Sequence, residues 1–377
     1  MFCSIQLYLP LILFSHKRMQ ASESFSAKAW QRLKKNKGAM AGLIVILLAV
    51  AAAIFAYFLG NDQTPNADRQ IVEIQAQKPG FKQTFLKVKK QREVGHTGIV
   101  SHLLFGKEDA FVLLPINSYT DLGDSVAVEK YIDEGMQEKQ VYPKSALEKN
   151  FISHKTFWFG TDKFGRDILS RLILGIRVSL AVGLVTVIIS LLIGVTLGAV
   201  AGYKGGRTDA AIMWLINVVW SIPTLLLVFG LTLTLGKGFW QIFIAVGLTM
   251  WVTIARIVRG QVMAISQLEY VQAAKALGLR DSRIIIRHIL PNVMGPVMVI
   301  AAANFASAII IEAGLSFLGI GIQPPTPSWG LMLKENYNFI ITHNPALALI
   351  PGLAIMILVL AFNLLGNGLR DALDVKG

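Results

Sequence analysis

The sequence predicts an all-α polytopic membrane protein with six transmembrane helices. Five of these form a core, one precedes it at the amino-terminal side, and a small, largely β extracytoplasmic insert follows the first helix. Three observations carry that prediction. The 377 residues are 54% hydrophobic and only 16% charged, where a soluble domain carries about 25% charged residues. The deficit collects in long runs without Asp, Glu, Lys or Arg, each of a length that spans a bilayer. Between the first two runs lies a stretch of ordinary polarity with strand-like alternation. The net charge of +13 does not imply nucleic acid, because much of the excess flanks apolar runs, where positive charge sets membrane orientation. Cys3 is the only cysteine, which excludes an intrachain disulfide and a thiolate metal cluster.

Residues 1–14 are apolar but short, contain Pro10, and are followed rather than preceded by His16, Lys17 and Arg18, the reverse of a signal peptide. Met19 offers an alternative start that would make residues 1–18 an artefact, and a short membrane-surface segment is the other reading. The first span is 39–59, uncharged and rich in Ala, Ile, Leu and Val. Lys28, Arg32, Lys34, Lys35 and Lys37 precede it and place the amino terminus in the cytoplasm. Residues 61–157 read as the insert, with strand signals at 71–77, 85–89 and 110–115 and a turn at 78–80.

Further spans are read at 178–203, 210–236, 238–255, 289–311 and 345–369. Alternation puts Lys204 and Arg207 inside, Lys237 outside, Arg256 to Arg287 inside, Lys334 outside, and Arg370 and Lys376 inside. Short loops thus carry their basic residues on the cytoplasmic side, and both termini are cytoplasmic. Lys163, Arg166, Arg171 and Arg177 resist the pattern, and are read as an amphipathic helix along the outer interface. The domain limits are 1–37, 38–60, 61–157, 158–370 with a cytoplasmic loop at 256–292, and a tail at 371–377.

That loop holds the clearest functional signal. Glu269, Gln272, Ala273, Ala274, Lys275 and Ala276 lie in a strong helix former, and Leu277-Gly278 follows. Gly278 is suited to the left-handed conformation that ends a helix. Asp281 or Ser282 is expected to cap a short basic helix containing Arg280, Arg283 and Arg287, and Leu290-Pro291 opens the next span. The expected order is helix, sharp turn, short helix, membrane: a unit that can be pushed as one piece, with 276–287 as the contact and 269–275 as the lever.

The spacing Ala273-Ala274, Gly278, Leu290-Pro291 resembles the EAA loop of ABC-importer permeases. Gln272 stands where that family often has Glu, and His288 where it often has Ile. Gly160-Thr161-Asp162 through Asp167 with Ser170-Arg171, Gly205 to Asp209 with Ser221-Ile222-Pro223, Glu312 to Gly319, Gln323 to Gly330, and Asn363 to Asp371 resemble the dipeptide/oligopeptide/nickel branch. Residues 30–59 resemble the first span of the second permease subunit in these systems. The resemblance implies half of a peptide translocation path, a second homologous permease subunit, two ABC ATPases docked on the loop, a solute-binding protein outside, and a bacterial inner membrane. ATP and magnesium would belong to the ATPases, with no cofactor or metal in this chain.

Other residues are weighed on physics alone. Glu312 interrupts an apolar run, and it either lines a path, holds a gate helix, or sits at a span end, as does Ser316 near it. Pro223 should kink or break the third span. Gly194, Gly198 and Gly202 share one helical face and suit close helix packing. The chain has no Gly-x-x-x-x-Gly-Lys-Ser/Thr loop and no His-Glu-x-x-His, so an energy source must come from partners. Nickel or another small solute is the alternative cargo. A secondary transporter is the alternative class, and it would need midplane ionisable groups that the later spans lack apart from Glu312.

Overall fold

The computed structural model describes residues 25–91, 98–133, 135–236, 238–341 and 344–373. The readings made of residues 1–18, Lys237 and Lys376 lie outside the described residues. The amino-terminal helices are α1 (Phe25–Lys35), α2 (Lys37–Ile54) and α3 (Ala56–Leu59). Asn36 caps α2, its Oδ1 accepting from the Ala39 amide at 3.1 Å.

Then comes a five-stranded antiparallel sheet of order β4-β3-β2-β1-β5. Its strands are β1 (Phe81–Lys89), β2 (Phe111–Asp121), β3 (Ser125–Asp133), β4 (Met136–Pro143) and β5 (Leu147–Phe157), with α4 (Ile99–Phe105) between β1 and β2. Side chains alternate across it as the pleat requires. Phe85 packs on one face with Ile71, Ile74 and Phe157. Leu86, its neighbour, packs on the other with Ile116 and Val128. The strand expected at 71–77 is absent: Val72–Ile74 is a 3-10 turn. Ile71 and Ile74, three residues apart, are the pair that covers the sheet, so the period there is a turn's and not a strand's.

The bundle follows: α5 (Ile168–Lys204), α6 (Gly206–Trp220), α7 (Thr224–Leu235), α8 (Phe239–Ser266), α9 (Glu269–Ala276), α10 (Asp281–Ile284), α11 (Leu290–Phe317), α12 (Trp329–Asn336) and α13 (Ala346–Leu373). Five helices among the described residues are long and apolar enough to cross a membrane, or six if α6 and α7 count as one span bent by 90°. The break falls at Ser221–Pro223, where proline removes a donor and its ring excludes the preceding turn. Gly194, Gly198 and Gly202 form the α5 side of the seam with α8. A Cβ on Gly198 would stand 2.5 Å from the Ala255 carbonyl oxygen, and one on Gly202 2.6 Å from that of Arg259.

Two expectations about boundaries are corrected. α5 does not follow an interfacial helix; it starts at Ile168 and runs unbroken for 37 residues. That is about 55 Å at helical rise, well beyond a hydrocarbon core of about 30 Å. Arg166 and Arg171 are absorbed by a buried ion cluster and Arg177 donates to the Ala53 and Leu103 carbonyls, while Lys163 stays exposed. Arg166 is 2% exposed and Arg171 is fully buried. α8 likewise continues to Ser266, past the expected loop start at 256. It can do so because Asp209 takes a two-pronged ion pair with Arg259, and Arg256 stacks 3.5 Å over the Trp220 ring. The sheet lies at the end of the bundle where α5 begins, and the 267–289 segment lies at the end where α5 stops.

Candidate functional site

At the loop end, α9 packs through one narrow face. Val271 and Ala274, three residues apart, are buried against Val258 and Val262 of α8 and against Ile284, Ile289 and Val293. The other face, with Gln272, Ala273, Lys275 and Ala276, is exposed. Gln272 does not reach outward; its Nε2 donates to the Ser266 carbonyl at 2.7 Å and ties α9 to the end of α8. Glu269 opens α9 at its exposed start, where a carboxylate suits the helix dipole.

The turn after α9 closes in a Schellman motif. Gly278 has φ of +76°, its amide donates to Lys275 at 3.0 Å, and the Leu279 amide donates to Ala274 at 3.2 Å. A side chain on Gly278 would meet open space, so backbone conformation and not crowding requires glycine there. Leu277 stands at the tip, 80% exposed. Arg280, Asp281, Arg283 and Arg287 are exposed behind it, with Ile286.

The cap expected at Asp281 or Ser282 is not formed. Arg280 occupies that position without a side-chain bond, while the Asp281 carboxylate accepts from the Tyr203 hydroxyl at 2.9 Å and joins α10 to the end of α5. Nor is the short helix separate from the membrane span. α10, a π-turn at Ile285–Ile289 and α11 run on as one helix, Asp281–Phe317. Pro291 lacks an N–H and its ring crowds the carbonyl of Arg287, and the wider π-turn absorbs both defects without ending the helix. Leu290 packs partly buried on the same base.

The residues singled out elsewhere are not brought together with this loop. Pro223 is exposed at the start of α7. Glu312 is fully buried, near the far end of α11. The Ser316 hydroxyl donates to Glu312 Oε1 at 2.6 Å and accepts from the Ile322 amide at 3.0 Å. These contacts pin the segment after α11 back onto its last two turns. Gly321 and Gly330 let it approach, since a Cβ on Gly330 would stand 2.4 Å from the Ala313 carbonyl.

A cluster at the sheet end escaped the sequence reading. Arg166 donates to Asp162 at 2.6 Å, Asp68 at 3.0 Å and Glu335 at 2.6 Å. Arg171 lies 3.5 Å from Asp68, 3.6 Å from Glu335 and 4.0 Å from Asp162, with no hydrogen bond from its guanidinium among the described residues. The cluster thereby joins the segment before β1, the loop before α5, and α12. Arginines beside Asp162 signalled it, but its other partners are remote in the chain. Beside it, Lys155 donates to the Asn61 carbonyl at 2.8 Å; burial, then the charge of Arg69, pushes its ammonium down to about 8. Burial likewise raises Asp167 above the ordinary carboxylate value, against the hydrogen bonds that Ser170 gives it. Among the described residues, no group of three His, Cys, Asp or Glu is placed to hold a metal ion.

Residues 194–376 match the family model of the binding-protein-dependent transport system inner membrane component. Residues 24–79 match the N-terminal transmembrane domain of oligopeptide transport permease C. The chain is 35% identical to the dipeptide transport system permease protein DppC of Bacillus subtilis, over 94% of this chain and 87% of that protein. It is 43% identical to the oligopeptide transport system permease protein OppC of the same organism, over 59% of this chain and 72% of the relative. Among solved structures, an inward-facing MetNI methionine ABC transporter matches at 18% identity with a TM-score of 0.45, covering 54% of this chain and 95% of that one.

Proposed function

The chain belongs to the dipeptide/oligopeptide branch of the binding-protein-dependent inner-membrane permeases, and from that membership we propose that it forms half of a path for short peptides, driven through the 269–292 loop. As a member it is a multi-pass inner-membrane permease subunit and not itself an enzyme, and its family works with ATPases and a solute-binding protein. In the proposed assembly a second homologous permease subunit completes the path and two ATPases bind beneath, supplying the ATP and magnesium chemistry that this chain's sequence has no P-loop to support. Both termini and the loop face the cytoplasm, and the sheet lies outside, as the basic residues of the short loops favour.

The observation that carries this reading is the exposed Leu277-Gly278 tip on a buried apolar base, continuous through α10 with a membrane-crossing helix. ATPases that close on nucleotide would displace the tip, and the 37-residue helix Asp281–Phe317 would carry the displacement across the bilayer as a rigid body. Glu312 and Ser316 then act as a brace that makes the segment after α11 move with it.

Co-purification of an ATPase with the membrane complex tests the reading. Gly278→Trp and deletion of 277–287 should each abolish it, because the first forces a bulky residue into a left-handed turn and the second removes the contact. Peptide uptake that persists in membranes lacking any ATPase would overturn the proposal.

A further inference from the structure

The break between α6 and α7 stands beside a cavity of about 390 Å³. Its polar lining is Thr224, Thr249, Thr253, Asn304 and Ser307, and its apolar walls include Trp220 and Met250. Thr249 and Thr253 fall near the middle of α8, Asn304 and Ser307 near the middle of α11, and Thr224 at the centre of the bent pair. The cavity therefore sits at mid-depth of helices that are otherwise apolar. Irregular backbone at that depth persists only where protein covers it or water reaches it, and the 90° break at Ser221–Pro223 requires one or the other.

The polar groups are not consumed by the subunit's own structure. Asn304 Nδ2 has a long contact of 3.4 Å to the Met250 carbonyl. The Thr249 hydroxyl donates to the Val246 carbonyl at 2.8 Å and keeps its acceptor capacity. Thr253 and Ser307 are exposed. Among the described residues, no ionisable side chain lines the cavity. Hydroxyls and an amide fit groups that every peptide carries, its backbone N–H and C=O. A methionine and an indole wall accept side chains of differing shape. Trp220 is held in place by the Arg256 guanidinium stacked on it, which in turn donates to Asn217 Oδ1 at 3.0 Å.

We propose that this cleft is the part of the path where the subunit touches its cargo, with Thr249, Thr253, Asn304 and Ser307 hydrogen-bonding the backbone of an extended short peptide. The inference rests on the peptide-permease reading and names the residues that reading leaves open. It also couples the two ends of the mechanism, because Asn304 and Ser307 ride on the continuous helix Asp281–Phe317, which begins just after the docking tip.

The test uses the whole complex in proteoliposomes, with Cys3→Ser removing this chain's only cysteine. Ser307→Cys should react with a charged, membrane-impermeant thiol reagent, and a di- and tripeptide mixture should slow that reaction. Asn304→Leu and Ser307→Leu should each lower peptide uptake about tenfold, the loss expected when polar groups in a closed site go unpaired, in complexes that still assemble. Full uptake in both leucine variants, or a Ser307→Cys thiol that stays unreactive in a transporting complex, overturns the inference while the permease reading stands. A wild-type complex that moves another solute and no peptide overturns the peptide reading and the backbone-recognition claim together.

Discussion

Arg166 and Arg171, at the sheet end, keep 2% and 0% of their surface, whereas Arg280, Arg283 and Arg287, at the loop end, stand in solvent. The sheet end buries ions among Asp68, Asp162 and Glu335; the loop end buries Val271, Ala274 and Ile284 and leaves its charges outside. The difference teaches how each end responds to load. A buried ion network has one good geometry, because moving any member strands a charge in low dielectric. A tip on an apolar base keeps its fold while its outer face is free for another surface. The sheet end is thus a fixed joint, and the loop end, in the proposed assembly, a handle.

The largest effect should come from breaking the joint. Arg166→Met removes the partner of three carboxylates, and breaking a buried pair costs about 3–5 kcal/mol. Thermal unfolding of the purified chain in detergent should show that loss, or the variant should fail to accumulate in the membrane. A loss below about 1 kcal/mol would mean that the joint behaves as a surface ion pair, and the contrast between the ends would collapse.

A second effect at the same end is pH-dependent and no larger, at most about 3 kcal/mol. Lys155 is depressed to about 8 by burial, with Arg69 adding repulsion and Asp62, Asp109 and Asp167 opposing it. Below that value both folded and unfolded chains hold the proton. Between about 8 and the ordinary 10.5, the unfolded chain binds more protons than the folded one, so stability rises with pH. Unfolding curves of wild type and Lys155→Met should diverge across that window, with the rise present only in wild type. Parallel curves would show that Lys155 is solvated, and that the joint is smaller than the ion cluster suggests.

How far each end can be read from sequence follows from the same physics. The loop end is written locally: Gly278 bonds to Lys275, Leu279 to Ala274, and Leu290-Pro291 marks the next span. A spacing rule captures contacts made within a few residues. The details it misses are those fixed from elsewhere, such as Tyr203 taking Asp281 away from a capping role. At the sheet end, Arg166 finds Asp68 at a separation of 98 residues and Glu335 at 169, so local charge patterning suggests a lipid-interface helix where there is a buried network. The mid-depth cleft is harder still, since Thr249, Asn304 and Ser307 are unremarkable polar residues until α8 and α11 are set beside the break at Pro223. Helix existence is legible from apolar runs; helix ends at 168 and 266 depend on where Asp162 and Asp209 neutralise the arginines.

The smallest expected change in stability is at the handle, and it is the most discriminating. Leu277 is 80% exposed, so Leu277→Glu removes little packing and should shift unfolding by no more than about 0.5 kcal/mol. The same carboxylate would put a charge at the centre of the proposed contact, which a desolvated apolar patch tolerates poorly. ATPase co-purification should therefore fall steeply in a chain that unfolds at the wild-type temperature. Arg166→Met should do the reverse: lose stability, yet keep ATPase affinity in whatever fraction remains folded, because its cluster lies at the opposite end of α5. If Leu277→Glu destabilises the chain as Arg166→Met does, the tip is part of the core. If both variants lose the ATPase in proportion to folded protein, docking is spread beyond the tip.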